Sequence, residues 1–267
     1  MRTKVQLVRW LLCFAGVLAA GCSANLGTSN SETATVQAGR IIGLATQMGG
    51  HAQATLAAQN QQVTATAAAR QSLLQEARQW RLLFSDTFGD DLGGWATGED
   101  EDPQLGVMSW AIEDGKYRWE GSAHSGFVWW VIPDVESISD FYLSVSARQM
   151  GQPEVGEYGL VFRQAGDEDY YLFEISDLGM YALFLHTASG WEKLIDWTAH
   201  SDITPGNSNR LAVVAMGESF SFFINDIFVA EFNGDRLPEG KAGMLVGLAN
   251  SGESASWEFD DFELRIP

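Results

Sequence analysis

A chain of 267 residues with 35 acidic and 16 basic side chains carries a formal charge of -19. A surface of that sign repels phosphate backbones and gives them no basic stripe to follow, which excludes nucleic acid as a partner and disfavours adsorption to anionic lipid. Hydrophobic residues at 46% and aromatic residues at 12% exclude a wholly disordered chain, and a single pair of cysteines excludes a disulfide framework.

The chain begins with Arg2, Lys4 and Arg9, followed by an apolar run from Trp10 to Ala20 about half as long as a membrane-spanning helix requires. Basic, apolar and small-residue zones in that order read as an export signal over residues 1–21. Its end, Leu18-Ala19-Ala20-Gly21-Cys22, resembles the lipobox of bacterial lipoproteins, with Ala19 where that pattern prefers leucine. The resemblance implies that the Cys22 thiol takes a diacylglyceryl group and that the peptide before it is removed. It also implies that the new amine is acylated, as by palmitate, leaving the protein lipid-anchored on the extracytoplasmic face of a cell membrane. Cys13 leaves with the signal, so no disulfide forms in the mature chain, and stability must come from a hydrophobic core or a metal.

Residues 22–30 hold the lipidated cysteine and a Ser/Asn/Gly/Thr tether. Residues 31–82 are rich in Ala, Gln and Thr and read as a stalk, either helical or disordered. Ser29 and Glu32 have capping-box spacing, and Gly49-Gly50 interrupts the run. Leu56, Val63, Arg70 and Ala77 fall seven apart, a weak heptad seam with a charge inside it.

From Leu83 to Pro267 the character changes to short apolar alternations separated by Gly, Asp, Asn and Ser, with eight of the ten tryptophans. This is one all-β domain, and about 185 residues suffice for two packed sheets. The clearest element is the hairpin Trp110 to Trp119, whose central Asp114-Gly115 supplies the positive φ angles of a two-residue turn. That turn sets Trp110 opposite Trp119 and Ile112 opposite Tyr117, with Glu113 opposite Lys116. Further strands are expected at intervals to Arg265. In the last one, Phe262 and Leu264 are out of phase with Trp257 and Phe259, which predicts a bulge at Asp260-Asp261.

Several stretches carry a family likeness: Phe84-Ser85-Asp86-Thr87-Phe88 with Gly94-Trp95, Tyr158 to Arg163, Asp169 to Ile175, Phe223 to Asp226, and Phe259 to Leu264. On these residues 83–267 resemble the concanavalin A-like lectin/glucanase superfamily, in particular its 3-keto-disaccharide hydrolase-like and laminin G-like modules. The resemblance implies a jelly-roll β-sandwich, a fold shared by lectins, hydrolases and adhesion modules. Related sandwiches often hold a structural calcium between first and last strands, where Asp86 and Asp261 are the matching carboxylates. Two aspartates fall short of that ion's six to eight oxygens.

The laminarinase-type members place Glu-x-Asp-x-x-Glu on one strand, and no such motif is found here. Glu174 and Asp177 lie three apart and so face opposite sides of a strand, and the run Glu258 to Glu263 belongs to the terminal strand. His51, His124, His186 and His200 form no cluster in sequence, so catalysis is not expected. Binding needs less: rings to stack on sugars and a few polar groups to fix hydroxyls. Strict alternation sends Arg163, Tyr170 and Glu174 outward on neighbouring strands, as a ligand patch or as an exposed ion pair of small value. Of the adjacent Trp129 and Trp130 one must face away from the core, and Trp191 and Trp197 share a face; these are stacking candidates. The acidic runs Glu99 to Asp102 and Asp167 to Asp169 read as solvated loops. The expectation is a monomeric or weakly self-associating lipoprotein whose sandwich binds a carbohydrate or a surface protein without catalysis. A glycan-processing hydrolase and a structural or adhesive module are the alternatives.

Overall fold

The computed structural model describes residues 65–151 and 156–267, so Cys22, the signal segment, the tether and the stalk up to residue 64 lie outside the described residues. Among the described residues, fifteen strands form two antiparallel sheets that face each other across one apolar core. The nine-stranded sheet contains β1 (Arg81–Asp86), β2 (Gly98–Asp102), β3 (Gly106–Glu113), β4 (Lys116–Ala123), β6 (Phe141–Met150), β11 (Asn209–Met216), β12 (Ser219–Ile224), β13 (Ile227–Asn233) and β15 (Ser254–Ile266). The six-stranded sheet contains β5 (Phe127–Val131), β7 (Glu157–Gln164), β8 (Tyr170–Ser176), β9 (Met180–Thr187), β10 (Gly190–Ala199) and β14 (Lys241–Leu248). Their orders are β13-β12-β11-β6-β15-β4-β3-β2, with β1 on β15, and β10-β9-β8-β7-β14-β5.

The turn chemistry of the hairpin sets its register as expected. Asp114 and Gly115 have φ of 53° and 70°, and Trp110 pairs with Trp119 and Ile112 with Tyr117. The bulge in β15 also lies where the phase change puts it. Asp261 has φ 49°, pairing with β6 shifts between Asp260 and Glu263, and Trp257, Phe259, Phe262 and Leu264 all reach the core. The bulge lets one long strand serve two neighbours in turn: β4 pairs with it from Ser254 to Phe259, and β1 from Phe262 to Ile266.

Two stretches differ from the sequence reading. Glu99 to Asp102 is not a loop but most of β2, an edge strand paired with β3. Propensity disfavours such a strand, yet a row of carboxylates on an exposed edge discourages pairing with another chain. The described end of the stalk, residues 65–77, is a helix, α1. From Arg70 onward its seam meets not another helix but the outer face of the nine-stranded sheet. There Leu74 and Ala77, both fully buried, pack with Tyr142, Ala212, Val214 and Phe223. Arg70 pairs with Glu231 and Arg78 with Asp226, while the Gln71 amide donates to the Asp226 carbonyl, so the folded unit begins at about Arg70.

Candidate functional site

The outer face of the six-stranded sheet carries most of the residues that alternation singles out. Trp129 points into the core and Trp130 away from it, and Trp191 and Trp197 share the outer face with Tyr170, Leu172 and Phe184. The face is strongly curved. Trp130 and Tyr170 stand on strands separated by two others, a span of about 14 Å in a flat sheet, yet their ring centroids are 4.7 Å apart. Tyr170 also stacks on His186 at 5.1 Å, and His186 meets Trp191 at 4.7 Å. His186 Nδ1 donates to the Glu168 carbonyl at 2.6 Å, which fixes its ring and tautomer. The aromatic side chains thus cover their own sheet.

The exposed patch of Arg163, Tyr170 and Glu174 does not form. Arg163 is 1% exposed, Tyr170 0% and Glu174 4%. Arg163 has φ 50°, and the pairing of β7 with β14 shifts between Lys241 and Gly243, so a bulge interrupts the alternation. Its guanidinium turns to the end of the inter-sheet core, where it donates to the carbonyls of Leu237 (2.6 Å), Ser139 (2.7 Å) and Gly217 (2.9 Å). It also lies 5.0 Å from the Phe220 ring centroid. Arg163 ties three loops together and makes no ion pair with Glu174. Tyr170 and Glu174 do face outward, beneath the rings of neighbouring strands.

Sequence reasoning passed over the partner that Glu174 has instead. Glu157 on β7 is diagonal to Glu174 on β8, because Glu157 pairs with Ser176 and Gly159 with Glu174. The strands approach closely there: a Cβ on Gly159 would meet the Phe173 carbonyl at 2.0 Å, and one on Gly247 would meet a Glu157 carboxylate oxygen at 2.8 Å. Burial, then the charge of Glu253, pushes the Glu157 carboxyl up to about 7. Burial, then the charge of Glu157, holds Glu174 well above the usual carboxylate range. Glu174 Oε1 and the Tyr170 hydroxyl find no hydrogen-bond partner among the described residues. The pair lines a cavity of about 20 Å³ shared with Val128, Phe184 and Trp191, room for about one water-sized particle.

Larger space lies beside this face, where the edges of the two sheets diverge. A cleft of about 710 Å³ is lined by Trp95, Trp110 and Trp130, with Gln164, Asp167 and Lys241 among its polar groups and Glu99 and Asp100 of β2 on the other side. The acidic runs that read as solvated loops therefore contribute to a concave surface of ligand size. Gln164 and Lys241 face each other directly in the β7–β14 register. Neither could be picked out by periodicity, since the cleft is made by edges that meet only in the folded chain.

The calcium ligands expected from the family resemblance do not fit that ion. Asp86 Oδ1 accepts from the Phe88 amide at 2.7 Å and Oδ2 from the Trp95 indole at 2.8 Å, so both oxygens serve a turn and a core tryptophan. Asp261 is exposed on the bulge, and among the described residues no group of three or more His, Cys, Asp or Glu could hold a metal.

No protein-family model and no curated protein matches the sequence. Solved structures do match the fold. A Bacteroides ovatus mixed-linkage glucan GH16 protein, solved with a product, superposes with TM-score 0.51 at 10% identity, covering 68% of this chain and 100% of that one. A laminarinase from Flavobacterium sp. UMI-01 gives 0.51 at 11%, covering 69% and 100%. The carbohydrate-binding module CBM66 from Bacillus subtilis gives 0.48 at 18%, covering 63% and 96%. The fold is a jelly-roll β-sandwich like theirs.

Proposed function

We propose that this is an extracytoplasmic lipoprotein, anchored through Cys22, whose sandwich binds a glycan without catalysis in the cleft beside Trp130. The observation that carries the reading is the cleft itself: about 710 Å³, walled by three tryptophans, with Gln164, Lys241 and Asp167 among its polar lining residues. Apolar walls with a few polar groups are the usual composition of a small-ligand site. Sandwiches of the same fold include a protein solved with a mixed-linkage glucan product and a laminarinase, which supports glycan as the ligand class.

One observation favours a hydrolase instead. Two neighbouring carboxyls, Glu174 buried and Glu157 half-buried and pushed up to about 7, have the electrostatics of a general acid and its partner. Their cavity of about 20 Å³ weighs against it, because a sugar ring cannot reach a bond-breaking position there. Titration calorimetry of the mature chain with mixed-linkage and laminarin oligosaccharides, with an assay for new reducing ends in parallel, separates the readings. Binding heat without new reducing ends is expected. New reducing ends that vanish in Glu174→Gln would establish the hydrolase, and neither heat nor product would remove both.

A further inference from the structure

The acid pair under Trp191 is apart from the glycan cleft and has no role in it. Glu157 and Glu174 stand on adjacent strands in a shared cavity, and Glu174 Oε1, on a side chain 4% exposed, has no hydrogen-bond donor among the described residues. Among the described residues no lysine or arginine contributes to the electrostatics of either carboxyl. Among the described residues the titratable groups that face them are Glu253 toward Glu157 and Tyr170 toward Glu174. From the other walls come Val128 on β5, Phe184 on β9 and Trp191 on β10, with His186 meeting Trp191 edge to face. A buried carboxylate beside a half-buried one, without a cation, is costly, and each resists ionising beside the other.

The cavity narrows the kind of cation that would relieve this. At about 20 Å³ it admits one water-sized particle. A divalent metal needs more oxygens than the two carboxylates supply, and the remaining walls are largely apolar. An ammonium nitrogen is water-sized, carries N–H donors that match the unpartnered Glu174 oxygen, and gains from aromatic rings beside it. We propose that Glu157 and Glu174, with the rings of Trp191 and Phe184, form a binding site for a compact ammonium group, either the free ion or the primary amine at the end of a ligand.

The test is thermal melting of the mature full-length protein at pH 8, with ammonium chloride titrated against tetramethylammonium chloride at equal ionic strength. A cation that binds the folded state alone should raise the melting temperature by about 5–10 °C at a hundredfold excess over its dissociation constant. Ammonium should do so saturably, tetramethylammonium should not, and the isosteric Glu174→Gln should lose the response. Methylammonium distinguishes the sources: a response equal to ammonium means that a ligand's terminal amine enters, and none means that the free ion is the occupant. Equal melting in ammonium and tetramethylammonium would overturn the proposal, as would an undiminished response in Glu174→Gln. Should that variant fail to fold, proton release decides on the wild type. Ammonium binding near pH 7 should displace protons from the pair, giving calorimetric heats that depend on buffer ionisation, and buffer-independent heats would overturn the site.

Discussion

The outer face of the nine-stranded sheet is covered by a separate element and its buried carboxylate is matched, whereas the outer face of the six-stranded sheet is covered by its own rings and its buried carboxylate is not. On the first, α1 lays Leu74 and Ala77 over Tyr142 and Val214, and the buried Glu258 accepts from Arg118 and Arg148. On the second, Phe184 and Trp191 line the cavity that holds Glu157 and Glu174, and among the described residues no basic side chain answers them. A face that pairs its buried charge contributes to stability. A face that leaves one carboxyl oxygen, a phenol and an indole N–H unpartnered among the described residues while an open cleft adjoins it is built at some cost in stability, and that cost is expected where ligands bind.

The largest effect that would break this comparison is on α1. Leu74→Ala removes a fully buried side chain and should cost about 2–5 kcal/mol in urea melts while leaving glycan binding unchanged. A loss below 0.5 kcal/mol, on the order of a surface substitution, would mean that the helix is not part of the folded unit.

Next comes the acid pair. A carboxyl whose folded pKa is raised lets the folded state bind more protons than the unfolded chain between about pH 4.5 and 7. Its contribution therefore favours folding at low pH and is lost as pH rises through that window. With Glu157 pushed up to about 7, the loss is on the order of 3 kcal/mol. Glu157→Gln should be more stable than the wild type at pH 8 and similar to it at pH 5, as read by urea midpoints. Parallel pH profiles would show that the pair is not strained.

Smaller still is the matched pair on the other face. Arg148→Ala leaves Glu258 with Arg118, and since Arg148 is well exposed the change should stay below about 1 kcal/mol. At the bottom lies calcium. With both Asp86 oxygens engaged by N–H donors, neither calcium nor a chelator should move the melting temperature, and a shift of several degrees would restore that site.

How far each feature could be read from the chain follows from the range of the signal. Asp114-Gly115 and the phase change at Asp260-Asp261 are local, and both the register and the bulge follow from neighbouring residues. The inward Trp129 and outward Trp130 follow from period-two alternation. Arg163 defeats that alternation because its bulge carries no glycine or asparagine to announce a positive φ. Glu157 follows Gly156 at the head of a strand, which reads as a solvated start. Its partial burial comes from the curl that brings Val128 and Trp191, from the two edges of the sheet, to one cavity. Curvature of that kind is a property of the whole sheet and leaves no mark on any single strand.

The glycan reading rests most directly on the cleft, and one measurement addresses it. A glycan array is probed with the mature wild-type chain and with the Lys241→Ala, Gln164→Ala double variant, whose side chains are partly exposed and little needed for the fold. The account predicts saturable hits for the wild type, with a loss of at least tenfold in the variant at an unchanged melting temperature. Silence across the array, or equal binding by both proteins, would contradict it.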